Sequence, residues 1–344
     1  MLIAAQNAML AGGGGGGDVV FATHFEVTTG SSYLTAGIYS ATAIDLSAPI
    51  VVDWGDGTTD SVMGNISQLT HTYATEGVYT VAISDNISTF AINANDSSWY
   101  SSATNNQMNI TRILDISENV TSIPAYGLAV LYKLTSFYAG DNGSLTLGSS
   151  ALSQIGSDYY NKYVDVDLSG RTITNLASFC FNLSSLHSIQ WPQGLQSIDY
   201  KCFAFTTLRW TYNDETGTYT YFEMVIPEGV TTLGSSAFHH AGTSDRTGPL
   251  LEITLPSTLA LVYDKAFADN SFLGTIRCNA PQAPSTPYNP FGTGNFLDYY
   301  TGCNYASAGT NRLYVPAGAT GYDSSYWLDP LQDSSKCGFT KVEA

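Results

Sequence analysis

Basic side chains are scarce: 12 Lys plus Arg stand against 29 Asp plus Glu in 344 residues, a formal charge of −17. The first of them is Arg112, so residues 1–111 carry nine carboxylates and nothing that neutralises a phosphate. Nucleic acid and anionic membrane are thereby poor partners for that surface. Cysteine is sparse too. Cys180, Cys202, Cys278, Cys303 and Cys337 contain no C-x-x-C pair and are odd in number, so neither a disulfide framework nor a zinc site is expected. Long apolar runs are missing. The opening MLIAAQNAMLA offers about ten residues where a bilayer span needs about 20, so no membrane insertion is expected. With no basic residue ahead of it and no early Cys, a cleaved export signal is the less favoured reading of that segment.

Catalytic signatures are missing as well. There is no G-x-S-x-G, no H-E-x-x-H and no phosphate-cradling loop with its Lys. His187, His239 and His240 fall in what read as repeat loops, and His71 in a turn motif. Glu223, Glu228 and Glu252 stand on successive coils, so the facing pair that glycoside hydrolysis requires, roughly 5–9.5 Å apart, is a remote reading. No catalytic residue is assigned.

What the chain has is neutral polarity, with 32 Gly and 23 Tyr but only 12% charged residues. Its length exceeds the roughly 250–300 residues at which single cores stop growing, so several units are expected. The fold class read from the pattern is mainly β: an immunoglobulin-like sandwich followed by a leucine-rich-repeat solenoid with short strands and few helical turns. The expected units are an apolar arm with a Gly12–Gly17 tether (1–17), the sandwich (18–95), a polar linker (96–109), the solenoid (110–275) and a capping region (276–344). The arm carries Leu2, Ile3, Met9 and Leu10 without a charged face. It is either a disordered terminus or an anchor that docks on an apolar surface supplied by a larger assembly.

Between residues 18 and 95, runs such as VVFATHFEV, IVVDWGDGTT and VYTVAISD alternate apolar and polar residues, the pattern of half-buried antiparallel strands. Within them, Asp53-Trp54-Gly55-Asp56-Gly57-Thr58, then His71-Thr72-Tyr73, then Gly77-Val78-Tyr79-Thr80-Val81 resemble the polycystic-kidney-disease (PKD) domain family. That resemblance implies an immunoglobulin-like module that spaces and presents other domains. Trp54 suits an inter-sheet core, Gly55 and Gly57 a tight turn, and Tyr79 a strand corner. Asp53, Asp56 and Asp60 read as turn caps, with calcium as the alternative occupant of their oxygens.

Nine-residue windows beginning at residues 120, 144, 173, 195, 230 and 259 align column by column. Column four is apolar (Ile123, Leu147, Leu176, Ile198, Leu233, Val262), column eight small, and column nine Leu or Phe, the self-similarity of a solenoid. One coil cannot bury its apolar edge alone, so neighbours must stack. Cys180 and Cys202 occupy the small column and read as buried space-fillers. Ahead of three windows stand SIQWPQG, MVIPEG and EITLPST, short strands each ended by Pro. Such units resemble the BspA-like leucine-rich repeats of bacterial surface antigens over about residues 110–275, which implies adhesion and recognition. The coils at 120 and 144 depart from the pattern in lacking that Pro. The segment Arg312–Gly318 is expected as the final strand, with Tyr322, Tyr326 and Trp327 closing the core.

Coil intervals vary because residues enter at 153–163, 211–220 and 239–249, and such insertions gather on one face of a solenoid, often the one that binds. Tyr159, Tyr160, Tyr163, Tyr212, Asn213, Asp214 and Tyr219 in those loops are the candidate binding residues. Their aromatic faces and amides suit a host glycan and equally a protein. Two display functions stay open, both non-enzymatic. The preferred one is a bacteriophage virion decoration or fibre, held to capsid or tail proteins by its arm. The alternative is a secreted or cell-surface bacterial adhesin. Association of copies into a homo-oligomer is left open.

Overall fold

A computed structural model describes residues 19–31, 34–93, 109–157, 162–209, 211–213, 218–220, 223–242, 250–268, 270, 273–286, 311–323, 325–328 and 339–344. The N-terminal unit holds β1 (Phe21–Thr28), β2 (Thr35–Ile38), β3 (Ser40–Ala43), β4 (Pro49–Asp53), β5 (Thr59–Met63), β6 (Leu69–Thr72), β7 (Val78–Ser84) and β8 (Ile87–Ala91). Every pairing among these eight strands is antiparallel, with β1 on β7, β7 on β4 and β4 on β5 in one sheet and β3 on β8 in another. The alternation read from the sequence places Phe25, Val27, Ile50, Val52, Val81, Ile83 and Phe90 inside, each with no exposed surface. Trp54 is likewise sealed, so the sandwich core closes around the largest side chain in the segment. The expected arm, including Leu2, Ile3, Met9 and Leu10, lies outside the described residues.

The repeat region adds β9 (Ile110–Asp115), β10 (Ser122–Ile123), β11 (Ser136–Tyr138), β12 (Thr146–Leu147), β13 (Val164–Asp167), β14 (Asn175–Leu176), β15 (Ser185–Gln190), β16 (Ser197–Ile198) and β17 (Thr207–Leu208). A hairpin of β18 (Thr211–Asn213) and β19 (Thr218–Thr220) follows, then β20 (Met224–Val225), β21 (Thr232–Leu233), β22 (Glu252–Leu255), β23 (Leu261–Val262) and β24 (Thr275–Cys278). Column four forms one parallel ladder, with Ile123 opposite Leu147, Leu176 opposite Ile198 and Leu233 opposite Val262. All six side chains are buried. The coils at 120 and 144 stack in this ladder like the others despite lacking the Pro.

Column nine supplies the second spine. Phe181, Phe203, Phe238 and Phe267 stack with ring centroids 5.1, 5.2 and 6.1 Å apart and nearly parallel planes. Column eight must stay small because the chain turns there, and Cys180 and Cys202 are fully buried in it.

A third ladder runs along that turn. Column seven (Tyr126, Ser150, Phe179, Lys201, Ser236, Lys265) and column eleven (Val130, Gln154, Leu183, Phe205, His240) adopt positive φ of 52–64°. The resulting zigzag sends alternate amides sideways. Tyr126, Leu128 and Val130 donate to the carbonyls of Ser149, Ala151 and Ser153 in the next coil at 3.1, 2.9 and 2.9 Å. The amides between them fold back on their own turn, as from Gly127 to Pro124. Backbone polar groups at this edge are thus committed to the stack.

The two expected units share both of their sheets. β9 pairs antiparallel with β1 and parallel with β11, and β8 pairs antiparallel with β3 and parallel with β10. Of the expected linker, only Asn109 is described. It is buried, receives the Thr28 amide at 2.8 Å and donates its side-chain amide to the Thr35 carbonyl at 2.9 Å. The first sheet ends at β17, in the coil that carries the hairpin, and a five-stranded sheet takes over from β20. That sheet continues through β22 and β24 to β25 (Arg312–Val315) and β26 (Thr340–Glu343), with a single turn of helix, α1 (Ser325–Leu328), between the last two. The expectation that Arg312–Gly318 ends the array is corrected here, because β26 pairs parallel outside it. Tyr322 and Trp327 do close the core, the Tyr322 hydroxyl donating to the Ala280 carbonyl at 2.8 Å, while the Tyr326 side chain lies outside the described residues.

Candidate functional site

The left-handed backbone of column eleven turns its side chains away from the core. Gln154, Leu183, Phe205 and His240 therefore line up on four successive coils, and Leu183 and Phe205 remain 44% and 39% exposed. Below this ridge lie Ser157, Ser185 and Thr207, of which the last two are register partners at the starts of β15 and β17. Together with Tyr132 and Gly156 these residues line a groove of about 380 Å³. The Tyr132 hydroxyl donates to Gln154 Oε1 at 3.0 Å, which orients the amide along the groove. Phe205 packs against His239 edge-on at 5.1 Å and against His240 at 5.2 Å, so the ridge is a supported surface. Gly156 admits no side chain: at φ 66° a Cβ would stand 2.7 Å from the Lys162 carbonyl and 2.9 Å from that of Ser185.

Two of the three insertions noted in the sequence contribute here, 153–163 through Gln154 and Ser157, and 239–249 through His240. Of the aromatic residues expected to bind, Tyr163 has a described side chain, and it is not among the lining of the groove. Tyr163 packs face-on beneath the Arg209 guanidinium, 5.4 Å away. Tyr212 and Tyr219 face each other in register on the β18–β19 hairpin, with Asn213 paired to Thr218, so the segment expected as a loop is a two-stranded ribbon. Tyr159, Tyr160 and Asp214 lie outside the described residues. Reading two columns further along each window would have shown large side chains at the groove-lining positions.

The turn motif of the sandwich is a packed cluster. Trp54 Nε1 donates to Asp60 at 2.8 Å, and its ring stacks on His71 at 4.9 Å. His71 meets Tyr73 edge-on and holds Asp56 at 2.7 Å, while Tyr73 stacks on Tyr79 at 4.1 Å. The Tyr79 hydroxyl donates to the Thr75 carbonyl at 3.0 Å and ties that corner. Asp53 accepts the Gly55 amide, and Asp56 the amide and hydroxyl of Thr58, bridging Gly57. Gly55 is obligatory, since at φ 78° a Cβ would lie 2.4 Å from the Thr80 carbonyl. These three carboxylates are each engaged by the turn, and among the described residues no group of three His, Cys, Asp or Glu converges on a common point.

His187 lies on β15, correcting its expected place in a loop. Its Nδ1 contacts Asp165 at 2.7 Å, and the Ser188 hydroxyl donates to that same carboxylate oxygen at 2.5 Å. The serine is thus bound to the acid and makes no hydrogen bond to the imidazole among the described residues, so the trio lacks the order that activates a nucleophile. Glu228 accepts the amide and hydroxyl of Ser257, foremost the amide, which hold its carboxyl below the ordinary range, and Glu252 pairs with Arg277.

The family model described as the BspA type leucine rich repeat region matches residues 144–219 and 215–291, with six copies. Residues 144–291 are built of BspA-type leucine-rich repeats. No curated protein matches the chain. Among solved structures, the chain is similar to a leucine rich cell surface protein from Faecalibacterium prausnitzii A2-165, at 13% identity over 75% of this chain and 89% of that one, with a TM-score of 0.25. It is also similar to the pneumococcal vaccine antigen PcpA, at 13% identity over 71% and 83% with a TM-score of 0.23. A leucine-rich repeat protein from Bacteroides ovatus ATCC 8483 follows at 12% over 75% and 95%, with a TM-score of 0.23. The groove lies within the BspA-type repeats apart from Tyr132. Both thiols of their small column are sealed, and burial, reinforced by the neighbouring Cys180, pushes the Cys202 thiol well up, away from the reactive thiolate form.

Proposed function

We propose that this chain is a non-enzymatic adhesion protein of a bacterial cell surface, in which the repeat array holds out a recognition groove and the N-terminal sandwich serves as a PKD-like spacer. The observation that carries the reading is the ridge of exposed Leu183 and Phe205 between half-buried Gln154 and His240 on a stack of BspA-type repeats. An apolar and aromatic row kept out of water's way only by a partner is what a recognition surface requires. The BspA-like resemblance, implying surface antigens, favours the cell surface over a virion. Absence of enzyme activity is part of the proposal: its support is that His187, Glu228 and Glu252 are each engaged in structural contacts.

The test uses an antibody raised against the full chain. Labelling of intact producing cells, loss of the label on brief external protease treatment, and impaired adherence of a deletion strain are expected. Label confined to phage particles sinks the cell-surface assignment and restores the virion reading. Release of reducing ends from a polysaccharide by the purified chain sinks the non-enzymatic one.

A further inference from the structure

We propose that the groove along Leu183 and Phe205 binds a neutral saccharide chain laid across the coils, an inference that rests on the adhesion reading and names its ligand class. Charge is the first argument. The chain carries −17, yet among the described residues the lining of the groove holds no carboxylate, Lys or Arg. An ionic ligand would find no counter-charge there, and a neutral one meets no penalty.

The floor supplies the second argument. Ser185 and Thr207 are register partners one coil apart, Ser157 lies beside them in the lining, and the three hydroxyls make no hydrogen bond to another described residue. They are positioned to exchange hydrogen bonds with a ligand that is itself rich in hydroxyls. The ridge opposite offers Leu183 and the Phe205 ring, an apolar face for the C–H side of a pyranose. Coils about 4.8 Å apart spread the ridge from Gln154 to His240 over about 14 Å, room for two or more linked rings.

Backbone chemistry argues against a peptide. Peptide strands add to sheets through free main-chain groups. At this edge the amides of Gln154, Leu183 and Phe205 already donate to the carbonyls of Asn182, Ala204 and His239. The strand starts on the floor are paired as well, the Ser185 amide with Ile155 and the Thr207 amide with Ser184. At these positions side chains are left to recognise a partner, and among the described residues of the lining they are hydroxyls, an amide, imidazole and apolar surface.

The experiment screens the full-length chain on a printed array of neutral and acidic glycans, followed by titration calorimetry with the best neutral oligosaccharide. Neutral hits are expected, with Phe205→Ala weakening binding about tenfold and Ser185→Ala several-fold, while Tyr263→Ala, an exposed aromatic on another face, binds as the parent does. Phe205 is 39% exposed, so its loss leaves the fold intact, which circular dichroism verifies. Hits confined to acidic glycans, no hits at all, or neutral hits unchanged by Phe205→Ala overturn the proposal. If cell adherence persists under any of those results, the adhesion reading stands and only the ligand assignment falls; if the deletion strain adheres normally, the adhesion reading itself has failed.

Discussion

Val130 shows what the turn demands of single residues. It is β-branched, yet it sits at φ 64°, where a Cβ crowds the following carbonyl at about 1–2 kcal/mol. Stacking holds it there, through its 2.9 Å bond to Ser153. Asn tolerates this conformation, so Val130→Asn should stabilise the protein by about 1 kcal/mol, seen as a rise of about 2 °C in Tm. A fall in Tm would mean that the half-buried isopropyl group matters more than the strain. His24 poses the opposite problem, a titratable ring sealed inside β1 with Nδ1 unpartnered among the described residues. Burial lowers its pKa below 6.5, so the unfolded chain takes up the proton first as pH falls. Stability therefore declines on acidification from about pH 7 towards 5.5. Burial also raises Asp115, its register partner on β9, but that contribution acts nearer the carboxylate range and with the reverse sign, favouring the fold at low pH. Thermal melts should show a flatter pH profile in this window for His24→Gln than for the parent; equal slopes would refute the assignment.

At the scale of the element, the stacked column of Phe181, Phe203, Phe238 and Phe267 has the most to lose. Phe238 has a ring on each side, so Phe238→Ala should cost about 3–5 kcal/mol and Phe238→Leu less than about 1.5, a ranking that urea titration reads directly. This spine was legible in the sequence because every coil repeats the same residue class in columns four, eight and nine. Columns seven and eleven were not, since Tyr, Ser, Phe and Lys, or Val, Gln, Leu, Phe and His, share no class. There the ladder to the next coil sets the backbone, and no local preference announces it. The groove went unseen for the same reason, its members being single residues from successive coils, while Tyr163, which looked available, packs against Arg209. Strand pairing across residues 94–108 was equally hidden, because it joins partners far apart in sequence.

Taken as a whole, the molecule solves the end problem of a solenoid by making its first neighbour a sandwich. A terminal coil exposes an apolar edge unless something covers it. Here Ile110 and Ile113 of β9 are sealed against β1, and Arg171, buried in the third coil, donates to the carbonyls of Asn142 at 2.7 Å, Ser117 at 3.3 Å and Val120, binding the first coils together. Beyond the repeats β26 continues the parallel sheet outside β25, and Tyr322 and Trp327 are buried in the same core. The sandwich then covers the apolar edge of the first coil. A fragment beginning at residue 109 should lose the β1 pairing and bare Ile113 together with the apolar side of the first coil. It should be recovered as aggregate or bind a hydrophobic dye strongly, whereas the intact chain shows one coincident transition by far- and near-ultraviolet circular dichroism. A soluble, dye-negative fragment with a transition of its own would show that the repeats stand without the sandwich, and that the shared sheets join two independently folding units.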